Sequence, residues 1–410
     1  MTTPSPSTRL FFLDWLRIGA FALLILYHVG MYYVGWDWHV KSATAVTALE
    51  PWMRLSSPWR LSLLFLVSGA AVSFMLRRDA GASFVRDRSR RLLLPLLFGM
   101  LVVVPPQSYL EVVHKHGYAG GYLDFMGLYL TGDDGFCRAG ACLVLPTWNH
   151  LWFVAYLWLY CLVLWAVLRV RPDALDALAG WADRRLRGLA LVLLPLAVLA
   201  ALRVALAGRF PGTHALVDDV FNHAQYLSLF VLGAALARAP RVWPRMQAQR
   251  WPALVAAFAG WAALASLAAR HGLPSQAPTE IAAAMRVAFA VAQWCAIVAL
   301  VGFAHRHLDR DHPSRRYLTE AVFPVYILHQ TLIVVLAEAA RPFAWPATVE
   351  GPLLAATTLA LSFAGYEAVR RLPLLRPWFG LRNADRTRRD GGAVGGAAPA
   401  SNERPSGALL

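Results

Sequence analysis

FFLDWLRIGAFALLILYHVGMYYV, residues 11–34, is the stretch that decides how this chain is read. It is long enough, at about 20 apolar residues, to cross a bilayer core of roughly 30 Å as a helix. It nevertheless carries Asp14, Arg17 and His28. Ionisable groups inside a span are costly, so each marks a functional hypothesis. Arg17 and His28 are eleven residues apart, about three full helical turns, so they share one face some 16 Å apart along the axis. Asp14, three residues before Arg17, can pair with it across one turn.

Outward from that stretch the pattern repeats. Apolar windows occur at 11–34, 58–76, 92–110, 148–168, 189–207, 221–237, 251–269, 283–304, 318–339 and 352–369. Over the 410 residues 58% are hydrophobic and 15% charged, and the mean hydropathy is +0.47. A soluble chain carries about 25% charge. The reading is therefore all-α, a polytopic membrane helix bundle of about ten transmembrane helices. The N-terminal TTPSPST lacks a basic region and the first run is long enough to span, so no cleavable signal peptide is expected.

The net charge of +15 would suit nucleic acid only on a soluble basic face. Here the basic residues sit in short segments between apolar runs. With the N-terminus in the cytoplasm, 28 of the 39 Lys and Arg residues fall on the cytoplasmic side, whereas acidic residues divide ten and ten. That bias puts both N-terminus and C-terminus in the cytoplasm. The expected organisation is a short N-terminal segment 1–10, a membrane domain 11–380 and a disordered basic tail 381–410, rich in Gly, Ala, Pro and Arg. Pro105-Pro106 should kink or end the third span. Loop 111–147 carries Cys137 and Cys142, which an oxidising exterior would allow to pair or leave as two thiols. Cys161 and Cys295, inside spans, read as packing residues.

Other polar groups recur inside the apolar windows. Tyr326 and His329, three apart, face the same way near mid-membrane. A lone imidazole there needs a partner, and a structural Tyr–His pair would satisfy it as well as a catalytic one. His150 lies in Trp148-Asn-His-Leu-Trp152; the tryptophans suit an interfacial belt, and the histidine could share a pocket with His28. Arg86-Asp-Arg88-Ser-Arg90-Arg91 opens a helix at the cytoplasmic side. Clustered guanidiniums bind phosphate there, although the same run also serves as a topology signal. His305, His307 and His312 are a weak metal candidate, and no metal is expected. Walker, Rossmann and Gly-x-Ser-x-Gly patterns do not occur.

These pieces resemble the integral-membrane acyltransferase family 3. The resemblance rests on Phe12-Leu-Asp14-Trp-Leu-Arg17 followed by His28, on Phe65-Leu-Val-Ser68-Gly69, and on Arg88-x-x-Arg91 before Pro95. His150-Leu-Trp152-Phe-Val and Tyr326-Ile-Leu-His329 complete it, in family order over roughly 10–380. The resemblance implies an inner-membrane O-acyltransferase. It would take an acetyl or succinyl group from cytoplasmic acyl-CoA, held by Arg88 and Arg91, to a hydroxyl of a periplasmic glucan or other envelope carbohydrate. His28 would be the general base, with His329, Tyr326, His150, Asp14 and Arg17 around the reacting groups. The rival readings are a secondary transporter relaying protons through His28 and His329, and an inactive scaffold. A requirement for acyl-CoA separates the enzyme from both.

Overall fold

The computed structural model describes residues 10–138 and 141–382. The expected N-terminal segment and basic tail lie almost wholly outside these residues. Among the described residues fifteen α-helices follow one another: α1 (Phe11–Tyr33), α2 (Glu50–Ser56), α3 (Arg60–Arg78), α4 (Ala82–Phe98), α5 (Pro105–His116), α6 (Tyr122–Thr131), α7 (Trp152–Val170) and α8 (Ala174–Arg185). Then come α9 (Ala190–Leu206), α10 (Val220–Leu236), α11 (Val242–Ala248), α12 (Arg250–His271), α13 (Thr279–His307), α14 (Pro313–Ala340) and α15 (Ala347–Arg371). Two-residue strands, β1 (Cys137–Arg138) and β2 (Ala141–Cys142), form a hairpin between α6 and α7.

Among the described residues seven helical stretches are long and apolar enough to cross a membrane: α1, Thr47–Arg78, Asn149–Val170, α12, α13, Pro313–Phe343 and α15. The pair Ala82–Val103 and Pro105–His116, bent by 42°, makes an eighth if taken as one span. The remaining two of the ten apolar windows fall on α9 and α10, each 17 residues long. At 1.5 Å per residue these reach about 25 Å, short of a full core. The chain is a polytopic helical membrane protein.

The bend falls where the prolines stand. A π-helical turn, Gly99–Val103, interrupts the ladder just before Pro105, whose missing N–H suits the first turn of α5. α1 is the hub, in contact with α3, α13, α14 and α15. Its first turn is capped from far away: the Phe11 N–H donates to Asp309 Oδ1 at 2.9 Å. α3 and α10 cross almost backbone to backbone. A Cβ on Gly69 would meet the Phe230 carbonyl at 1.9 Å, and one on Gly233 would meet that of Leu66 at the same distance. Small residues at a crossing let apolar helices approach where lipid supplies no hydrophobic drive. Gly69 therefore serves packing.

Cys137 and Cys142 form a disulfide across the hairpin. Cys161 and Cys295 are free and buried, as their place among apolar residues implied.

Candidate active site

The C-terminal half of α1 faces a cavity of about 550 Å³. Its walls include Tyr27 and His28 on α1, Trp38 and His39 after it, Arg60 on α3, Glu111 on α5, His150 in the turn before α7, Thr213 and His214 in the loop before α10, and Tyr326 with Gln330 on α14. A second cavity of about 400 Å³ shares Asp37, Glu111 and Lys115 with the first and is walled by Arg138 and Cys142 of the hairpin.

His28 and His329, 301 positions apart in sequence, meet here. His28 Nδ1 lies 2.8 Å from His329 Nε2, and the rings are parallel within 6°. His329 Nδ1 lies 2.6 Å from the Tyr326 carbonyl oxygen. That contact assigns the tautomers, because a carbonyl oxygen only accepts. His329 Nδ1 must carry its proton, so in the neutral ring Nε2 accepts and His28 Nδ1–H donates to it. His28 Nε2 is left with its lone pair, on a residue that lines the cavity.

His150 is placed by its turn. Asn149 adopts φ 42°, in the left-handed region that Asn tolerates better than most residues. Its amide donates to Gln107 at 3.2 Å, and the Thr147 hydroxyl donates to its carbonyl oxygen at 3.1 Å. His150 Nε2 then donates to the Ile327 carbonyl at 3.2 Å, while Nδ1 is buried with no partner among the described residues. Tyr326 binds both histidine elements, its hydroxyl donating to the His150 carbonyl and its own carbonyl accepting from His329. His150, Tyr326 and His28 thus line one cavity, and His329 lies against His28 behind it.

The other expected residues lie elsewhere. Asp14 and Arg17 do not line the cavity. Asp14 Oδ1 is 3.8 Å from Arg17, and its Oδ2 is 2.6 Å from Nη1 of the buried Arg315. Arg315 in turn binds Asp311 at 2.8 Å. This network ties α1 to α14 some 16 Å or more below His28, at three turns of helix. Arg88 and Arg91 sit half-buried on α4 and line neither cavity. Of His305, His307 and His312, His305 bonds Gln247 at 2.7 Å and His312 caps α14 by accepting from the Ser314 N–H. Among the described residues no group of three or more His, Cys, Asp or Glu could hold a metal.

Two features escaped the sequence reading. One is a polar chain along the cavity wall. The Gln330 amide donates to Gln107 at 3.0 Å and to His39 Nε2 at 2.9 Å, so His39 Nδ1 donates to Glu111 at 2.5 Å. Lys115 closes the chain, 2.8 Å from Glu111 and 2.9 Å from Asp37. The other is Arg60, buried at the head of α3, which the loop charge pattern had absorbed. Its place in the 58–76 apolar window was the available signal.

Residues 10–367 match the acyltransferase family 3 domain. Glucans biosynthesis protein C of Escherichia coli K12 is 24% identical over 388 residues, which cover 91% of this chain and 94% of that protein. Its counterpart in Escherichia coli O6:K15:H31 is 23% identical over 389 residues, with the same coverage. No solved structure matches the chain. A match over residues 10–367, nearly all the described helices, identifies the chain as a member of acyltransferase family 3, and hence as a membrane acyltransferase.

Proposed function

We propose that the protein transfers an acetyl or succinyl group from cytoplasmic acyl-CoA to a hydroxyl of a periplasmic glucan or other envelope carbohydrate, in the inner membrane. The observation that carries this reading is the relay Tyr326 C=O, His329, His28, which leaves the His28 Nε2 lone pair free on a cavity-lining residue. A neutral imidazole held in one tautomer is suited to taking a hydroxyl proton near neutral pH. Once protonated, His28 keeps its Nδ1–H bond to His329, so the imidazolium is stabilised without any movement of the pair.

In this scheme the cavity receives the acceptor. The positive-inside bias orients the cavity outward and puts Arg88 and Arg91 on the cytoplasmic side, where guanidiniums suit the donor's phosphates. Asp14 and Arg17 stand between the two, holding α1 in register with α14 through Arg315.

The test is transfer of isotope label from acetyl-CoA and succinyl-CoA to envelope glycan, with purified wild type and His28→Ala. Label in glycan with wild type alone is the expected result, and the better donor identifies the acyl group. Unmodified solute moved by wild type without acyl-CoA would overturn the reading in favour of transport. Arg88→Ala/Arg91→Ala should raise the KM for acyl-CoA while the protein still inserts; an unchanged KM removes the phosphate assignment.

A further inference from the structure

Two fixed cations line the main cavity, and their surroundings differ. Lys115 is neutralised by Glu111 and Asp37. Arg60 is only 3% exposed, yet no carboxylate among the described residues pairs with it. Its guanidinium lies over the Tyr27 ring, 3.6 Å from the centroid, and Nη1 donates to Ser56 Oγ at 3.2 Å. Nε is buried with no acceptor among the described residues. A cation–π contact recovers part of the cost of burying a charge, but an isolated buried guanidinium stays expensive unless an anion joins it. Tyr27, which carries the guanidinium, is the residue next to His28.

We propose that Arg60 stabilises the oxyanion that forms when the acyl carbonyl is attacked beside His28, which makes it a catalytic residue. This rests on the acyl-transfer reading above. The acceptor oxygen forms a bond to the thioester carbonyl carbon as His28 Nε2 takes the hydroxyl proton. The carbonyl π pair moves onto oxygen, and that negative charge falls to Arg60. Collapse re-forms the C=O and breaks the C–S bond; the departing thiolate takes the proton back from His28 and leaves as CoA thiol. No other reactant is needed. A preorganised cation in a water-poor site gains most on the charge that develops only during reaction.

Arg60→Gln should lower kcat by about 100- to 1,000-fold, with little change in KM for donor or acceptor. Arg60→Lys, which keeps the charge without the planar fork, should recover part of the loss, and guanidinium added to Arg60→Gly should do the same. Rescue by an added ion separates chemistry from misfolding. A wild-type kcat in Arg60→Gln overturns the proposal. So does a loss confined to the KM of succinyl-CoA, which would make Arg60 a reader of the donor's terminal carboxylate. Formate binding by calorimetry at low salt reads the anion site without turnover: wild type should bind and Arg60→Gln should not. An inactive wild type that binds formate through Arg60 would break the acyl-transfer reading alone. If wild type neither turns over nor binds formate, both fall.

Discussion

The two halves of α1 treat buried polarity in opposite ways. The N-terminal half carries Asp14 and Arg17, and Asp14 is matched by Arg315, itself bound to Asp311. The C-terminal half carries His28, in a cavity where His150 Nδ1 and Arg60 Nε have no partner among the described residues. A buried polar group costs free energy unless it is satisfied. Where the satisfaction is internal the group holds helices together. Where it is withheld beside a cavity, the missing partner has the chemistry of a substrate.

The largest expected effect breaks the catalytic half. His28→Ala should reduce transfer by about 10²- to 10⁴-fold, the range for a lost general base, while thermal unfolding of the purified protein stays near that of wild type. If stability collapsed with activity, the two halves would not differ as described. Arg315→Met is the reciprocal experiment on the other half. Taking the buried guanidinium out of the Asp14–Arg315–Asp311 network should lower the unfolding temperature by on the order of 5 °C, with kcat at permissive temperature much less affected than in His28→Ala. A kcat loss as deep as that of His28→Ala would bring the ion network into the chemistry.

The smallest effect sharpens the comparison with a third region. Asp219 stands before α10 and holds the 213–219 loop that brings Thr213 and His214 to the cavity. Burial pushes its carboxyl up, but donors outweigh this and hold it below the usual carboxylate range. They are the Tyr156 hydroxyl at 2.6 Å, the Asn222 amide at 2.8 Å and the His214 N–H at 2.8 Å. A lowered folded-state value means stability that is present above the unfolded value, about 3.9, and lost as pH falls through the folded one. Asp219→Asn should therefore unfold at a lower temperature than wild type at pH 7, and the gap should close as pH drops below about 4. A gap independent of pH would deny the carboxylate this role.

Much of this protein was legible in its residues, for reasons that differ from part to part. The apolar windows land on helices because a bilayer core demands about 20 apolar residues whatever they pack against. Pro105-Pro106 announced the bend at α5 because a missing N–H acts locally. Cys137 and Cys142, five apart, left pairing open, and the hairpin closed it. His28, His329, Tyr326 and His150 could each be named, since a polar group in an apolar run stands out unaided. Arg60 did not stand out, because it sits at the edge of its window, where a basic residue reads as flanking charge.

Sequence alone determined that the chain is a membrane bundle, which helix faces carry polar groups, and which family those groups resemble. Only the tertiary structure decided that His28 Nδ1 faces His329 Nε2 and thereby frees Nε2, that Arg315 reaches Asp14, and that Arg60 sits on Tyr27 with no carboxylate partner among the described residues. Helical periodicity fixes the direction in which a side chain leaves its own axis. It carries no information about which helix, hundreds of residues away, stands opposite. Partners, tautomers and unpaired charges are properties of that opposition.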